Sequence, residues 1–244
     1  MSHIVFKPWI GDNYSTSELG VRILILGESH YGDQGDEHED FTIDVVKMWG
    51  KEKRLAFFTK IAKTILNYNA SDFLSDNEKA TLWENVAFYN YVQAIVGEGA
   101  RVRPSDDMWA KSAPALQEVI EKLDPQVIIV LGKELADNLP HIFGEIEFCY
   151  LNHPSSGGYS YSENNKLVLS AIESVKLKDD FILQSLINEK KLEKIFTVAK
   201  VQRLLKWGSW RAGNVCSRAA DRGVLSCHDE DGKLTYKYVD PELG

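Results

Sequence analysis

A chain of 244 residues, 44% hydrophobic and 26% charged, with a net charge of −8, has enough apolar material to bury a proper core. It fits one large domain, or one medium domain with a small appendage, and its acidity argues against a non-specific nucleic-acid sponge. No apolar run approaches a membrane span, no signal-peptide pattern opens the chain, and three scattered cysteines (Cys149, Cys216, Cys227) give neither a disulfide framework nor a zinc or iron–sulfur spacing, so a cytoplasmic protein is expected.

Four short apolar runs, each followed by loop chemistry, punctuate the first 152 residues: Val21 to Leu26, Glu84 to Val92, Gln126 to Leu131 and Ile146 to Leu151. Between them lie helical patterns at Leu55 to Tyr68, Ser112 to Leu123 and Lys133 to Phe143, with a further one at Ser162 to Val175. Strands alternating with helices predict a parallel sheet with helices on both faces. Ile23 to Leu26, bounded by charge and by Gly27, reads as a strand buried on both sides. The polar cluster Glu28, Ser29, His30, Tyr31 then falls at its carboxyl end, where open α/β sheets bind their ligands. A second such cluster, CYLNHPSSGGYSY over Cys149 to Tyr161, follows the last of the four runs.

Beyond about residue 178 the pattern changes. From Asp180 onward 11 Lys and Arg stand against 9 Asp and Glu, so residues 1–179 carry −10. Leu192 to Trp207 is amphipathic with Thr197 as a candidate cap, Gly208 interrupts it, Ser209 is expected to cap a second helix to about Asp221, and Gly223 to stop that one. Alternating residues on either side of Asp231-Gly232 predict a hairpin. Two helices around a tight glycine turn and a two-stranded wing are similar to a winged helix-turn-helix. The expected domains are therefore 1–177 and 178–244.

The two polar clusters resemble the signature motifs of the uracil-DNA glycosylase superfamily. Gly27, Glu28, Ser29, His30 and Tyr31 match the first motif, and His153, Pro154 and Ser155 match its His-Pro-Ser. Asn90 ends the second strand, where the family has an asparagine, and Phe41, thirteen residues past Glu28, matches its stacking aromatic. The resemblance covers about residues 20 to 175. It implies a three-layer αβα sandwich around a four-stranded parallel sheet, no metal and no organic cofactor, and DNA as the partner. Two positions depart from the family: Ser29 stands where its most active uracil enzymes have Asp, and His30 where nearly all have Pro. Members whose motif reads Gly-Glu-Ala-Pro-Gly carry a four-cysteine iron–sulfur site that three cysteines do not build. A larger or modified base is therefore an expected substrate, alongside uracil; some divergent members remove hypermodified cytosines from phage DNA as a defence.

The chemistry asks for these residue types on its own terms. Excising a base requires pulling it from the stack, holding its face on an aromatic ring and reading its edge with a donor and acceptor, tasks that suit Phe41 and Asn90. Breaking the glycosidic bond leaves a cationic sugar and an anionic base, so a donor (His153) and a carboxylate (Glu28, with Ser29 beside it) are needed. Gly27, His30 and Tyr31 would shape the pocket. Ser155 and Ser156 would grip phosphates, Tyr159 or Tyr161 would fill the gap in the duplex, and Arg211, Asn214, Arg218 and Lys233 would meet DNA from the second domain. A carboxylate after the first strand and an imidazole after the fourth must then face each other. His30, His38 and the nearby carboxylates have no metal-ligand spacing. A monomeric glycosylase is the first expectation; a non-catalytic DNA-binding regulator or modified-base reader, or a nucleoside hydrolase, are the alternatives.

Overall fold

Ile23, Leu24, Ile25 and Leu26 present no surface to solvent, which a strand achieves only with neighbours on both edges and cover on both faces. The computed structural model describes residues 2–33, 35, 37–99, 102–142, 144–230 and 233–239. It is mixed α/β and divides into two compact units, Met1–Ile172 and Glu173–Gly244. In the first, strands β1 (Trp9–Ile10), β2 (Ile23–Gly27), β3 (Ala87–Asn90), β4 (Val127–Leu131) and β5 (Glu147–Leu151) form one sheet in the order β1-β3-β2-β4-β5. β3, β2, β4 and β5 run parallel, and β1 pairs antiparallel along the outer edge of β3.

Alternate residues of these strands serve opposite faces. Leu24, Leu26, Tyr89, Ile128 and Val130 pack with Trp109, Leu116 and Val119 of α4 (Asp106–Leu123) and Leu135 of α5 (Lys133–Asn138). On the other side Phe88 meets Phe58 of α2 (Ala56–Ile65) and Trp83 of α3 (Asp76–Glu84), with ring centroids 5.8 and 6.0 Å away. Each such fully buried aliphatic or aromatic side chain contributes about 2 kcal/mol relative to exposure. α1 (Phe41–Val45) leads directly into a π-helical stretch, Val46–Glu52.

Several boundaries differ from the sequence expectation. α4 starts at Asp106 rather than at Ser112, because Ser105 caps it by accepting from the Met108 N–H at 3.3 Å, and Pro114 lies inside the helix. β1 is too short for a periodic signal. α3 has few apolar positions, yet its Ser75/Glu78 capping box is complete.

Helix α6 (Tyr161–Asn188) is longer than expected, supplying its first residues to the first unit and the remainder to the second. The second unit continues with β6 (Ile195–Phe196), α7 (Val198–Leu205), α8 (Ser209–Asp221), β7 (Leu225–Glu230) and β8 (Lys233–Tyr238), its sheet ordered β6-β8-β7. The expected helix from Leu192 is thus split by a strand. Thr197 precedes α7 and Gly208 precedes α8, neither helix having a side-chain cap, so Ser209 is the first residue of α8 rather than its cap. Phe196, Val201, Val215, Cys216, Leu225 and Tyr236 form this unit's core. The last ladder pair of β7 and β8 is Glu230 with Lys233; the expected Asp231-Gly232 turn lies outside the described residues.

Candidate active site

The parallel pairing of β2 with β3 sets Gly27 opposite Asn90 in the final register of the two strands. Glycine there makes room for the Asn90 amide: a Cβ on residue 27 would lie 2.1 Å from Asn90 Oδ1 and 3.1 Å from the Phe88 ring, so any larger residue would displace that amide. The strands then continue as paired loops, with the Tyr91 N–H donating to Gly27 O at 2.9 Å and the Val92 N–H to Glu28 O at 2.9 Å. This holds the Gly27–His30 segment rigid at the carboxyl edge of the sheet. His30 is buried, and Asn90 Nδ2 donates to its Nδ1 at 3.1 Å. An amide nitrogen only donates, so Nδ1 accepts and the ring proton sits on Nε2, which donates to Thr42 Oγ1 at 2.7 Å. Burial pushes the His30 pKa down to about 4, so this chain runs through a neutral imidazole.

Glu28 leaves β2 on the open side of this network. Its carboxylate is 9% exposed and receives Arg103 Nη1 at 3.2 Å on Oε1 and 3.3 Å on Oε2. The same Nη1 reaches Glu134 Oε2, on α5, at 3.2 Å. Burial pushes the Glu28 carboxyl above its ordinary range, against the pull of Arg103 and with a further push from Glu134.

His153 follows β5, on the far side of β4 from Glu28. Two strand spacings put the departure points about 10 Å apart. The connection passes over Gly132, the residue after β4, whose φ of +108° suits glycine and whose Cβ would stand 3.3 Å from the Cβ of His153. The His153 ring lies 5.5 Å from that of Phe57. Its Nδ1 accepts the Ser155 N–H at 3.2 Å, which leaves the proton on Nε2, a donor with no hydrogen-bond partner among the described residues. Burial pushes the His153 pKa down and the charge of Arg103 pushes the same way, so the ring is neutral near pH 7. Arg103 therefore acts electrostatically on both Glu28 and His153.

The remaining residues singled out from the sequence fall in three groups. Close to the first loop, the Ser29 hydroxyl is buried with no hydrogen-bond partner among the described residues, and Tyr31 packs on the core cluster. Phe41 is partly buried, edge-on to His30 with ring centroids 4.9 Å apart and with the Phe6 ring 5.9 Å away. In the second loop Ser155 and Ser156 are exposed, whereas the Tyr159 hydroxyl is bonded to Thr64 Oγ1 at 2.6 Å, with Lys60 Nζ over its ring and donating to Pro154 O at 2.8 Å. Tyr159 thus fastens the loop to α2.

In the second unit the expected DNA-facing arginines point into the unit. Arg211 forms a two-pronged pair with Asp179, at 2.6 and 3.0 Å, and stacks on Trp207. Arg218 bonds Asp180 at 3.0 Å. Asn214, between them on the same helical stripe, is partly buried, and the side chain of Lys233 lies outside the described residues. The physical reason is local: Asp179 and Asp180 of α6 offer partly desolvated carboxylates to the guanidiniums, which a solvent-facing surface does not.

Sequence reasoning passed over Arg103. The one available signal was its position in an irregular stretch just before a capped helix. Among the described residues no group of three or more His, Cys, Asp or Glu is gathered to hold a metal ion, and no helix is long and apolar enough to cross a membrane. Cys149 and Cys216 are buried and Cys227 exposed, all three as free thiols. No protein-family model matches the chain, and neither does any curated protein.

Proposed function

We propose that the chain is a DNA N-glycosylase, a divergent relative of the uracil-DNA glycosylase superfamily, which extrudes a damaged or modified pyrimidine and hydrolyses its glycosidic bond to leave an abasic site. In this reading the first unit is the family's three-layer αβα sandwich, β1 being an extra edge strand, and the second is a winged helix-turn-helix module. One observation carries the reading. Glu28 and His153 leave parallel strands on either side of β4 with a single cation acting on both, the carboxylate accepting and the imidazole holding a free N–H.

The reaction follows from those two states. As the C1′–N bond breaks, its electron pair moves onto the base, and the Nε2–H of His153 meets the charge growing on the base oxygen. Glu28 stabilises the cationic sugar and orients a water, whose oxygen bonds C1′ and whose proton passes to the carboxylate or the departing base. Asn90 has one amide N–H committed to His30, which leaves the second N–H for reading the base edge. Ser155 and Ser156 supply exposed hydroxyls for the flanking phosphates. The protein is proposed to act as a monomer in the cytoplasm, without metal or organic cofactor.

Alkaline cleavage of end-labelled duplexes carrying uracil, hydroxymethylated or glucosylated cytosine tests the proposal. Wild type is expected to convert at least one of them, and Glu28→Gln and His153→Ala to lose about 100-fold or more in rate while still binding duplex. No conversion of any substrate by folded protein would overturn it. A second reading, a modified-base reader without turnover, is favoured by the ion pair that already neutralises Glu28; it predicts duplex binding and no conversion.

A further inference from the structure

The Arg103 guanidinium is used in an uneven way. One nitrogen, Nη1, serves both oxygens of Glu28 and one oxygen of Glu134 at 3.2 to 3.3 Å, and the side chain is 59% exposed. An arginine built to brace two elements presents its planar fork, one nitrogen to each carboxylate oxygen. Here the carboxylate is centred on a single nitrogen, with a second carboxylate competing for it. The three groups come from different segments: Glu28 after β2, Arg103 from the irregular stretch before α4, and Glu134 from the first turn of α5. The arrangement couples them, since a change at one alters the hold of the others.

We infer that Arg103 and Glu134 form an opposed pair of positioning residues that set the charge and direction of the Glu28 carboxylate, Arg103 holding it ionised and aimed, and Glu134 weakening that hold. The inference rests on the reading of Glu28 as the working carboxylate. Arg103 draws negative charge onto Glu28 directly. Glu134 acts twice, by repelling Glu28 and by sharing Nη1. The charged and titratable groups facing this cluster are Tyr31, on the same loop as Glu28 and within the field of Arg103, and His153 after β5, also within that field. Glu134 shares Nη1 with Glu28 and repels its carboxylate, so it is the group that opposes Arg103.

Opposite signs follow for the two partners. Arg103→Gln removes the attraction, so the Glu28 titration moves to higher pH. Glu134→Gln removes the repulsion and frees Nη1, so the titration moves to lower pH. Arg103→Lys keeps the charge and restores most of the wild-type position. The measurement is a carboxyl ¹³C titration of full-length protein labelled at glutamate, with the Glu28 signal assigned by its loss in Glu28→Gln. Shifts in opposite directions are the expected result; no shift, or shifts of the same sign, in variants whose spectra are otherwise those of the folded protein would overturn the inference.

Because the titration is read without turnover, it stands apart from the glycosylase reading. Where base release is present, Arg103→Gln should lower the rate roughly tenfold on the acid side, in proportion to the lost ionised carboxylate, and Glu134→Gln should extend activity to lower pH. Opposed titration shifts with no base release on any substrate would retain the opposed pair and remove the glycosylase. Base release with an unmoved titration would do the reverse.

Discussion

The arginines of the second unit and the arginine of the first unit's sheet edge make the same kind of bond to opposite ends. Arg211 gives two nitrogens to Asp179, covers Trp207 with its flat face and keeps 17% of its side chain exposed. Arg103 gives one nitrogen to two carboxylates and remains 59% exposed. The first is a completed contact, with nothing left to offer a ligand along the fork. The second is incomplete, and the groups around it, a carboxylate with a raised pKa and an imidazole with a free N–H, are incomplete in the same sense. What separates a brace from a site is thus how much of each group's bonding capacity the fold has already consumed.

That contrast fails if the braces prove dispensable. Arg211→Ala removes the two-pronged contact to the Asp179 carboxylate and the cover over Trp207, and is expected to cost roughly 3 kcal/mol in the second unit, seen as an early unfolding transition in urea. Loss of DNA binding with unchanged stability would instead make Arg211 a reader of DNA and reverse its assignment.

His30 sharpens the contrast within the first unit, because it is a consumed group beside unconsumed ones. Its folded pKa of about 4 lies below the ordinary imidazole value of about 6.5, so the unfolded chain takes up the proton first. The stability this histidine contributes is complete above about pH 6.5 and is lost as the pH falls toward 4, a total of about 3 kcal/mol. Urea midpoints of wild type and His30→Gln compared at pH 7 and pH 4.5 should differ less at the lower pH. Equal differences would mean that His30 is not buried as the neutral ring. The smallest effect belongs to Arg103: more than half exposed, bound through one nitrogen and shared between two carboxylates, its replacement by Gln should lower stability in urea by less than Arg211→Ala does, even though it moves the Glu28 titration.

The inner strands were legible because they are buried on both faces and so read as unbroken apolar runs; Val127–Leu131 and Ile23–Gly27 lie within one or two residues of the runs seen in sequence. β1 and α3 were not, the one being two residues long and the other having Lys79 fully buried where a helix pattern expects an apolar residue. The strand-end residues Gly27, Glu28, Asn90 and His153 were legible for the same reason as the strands. Their partners were not. Arg103 is joined to Glu28 across 75 positions of chain, a separation that carries no periodic signal, and the inward turn of Arg211 and Arg218 depends on Asp179 and Asp180, whose helix read as ending near Val175 in sequence.

Mass spectrometry of bases released from natural and phage-modified DNA, with wild type and Glu28→Gln run side by side, tests the central claim most directly. A free pyrimidine from at least one DNA, present with wild type and absent with Glu28→Gln, is the predicted result. Release that is equal for the two proteins, or absent from every DNA with folded wild type, would contradict it.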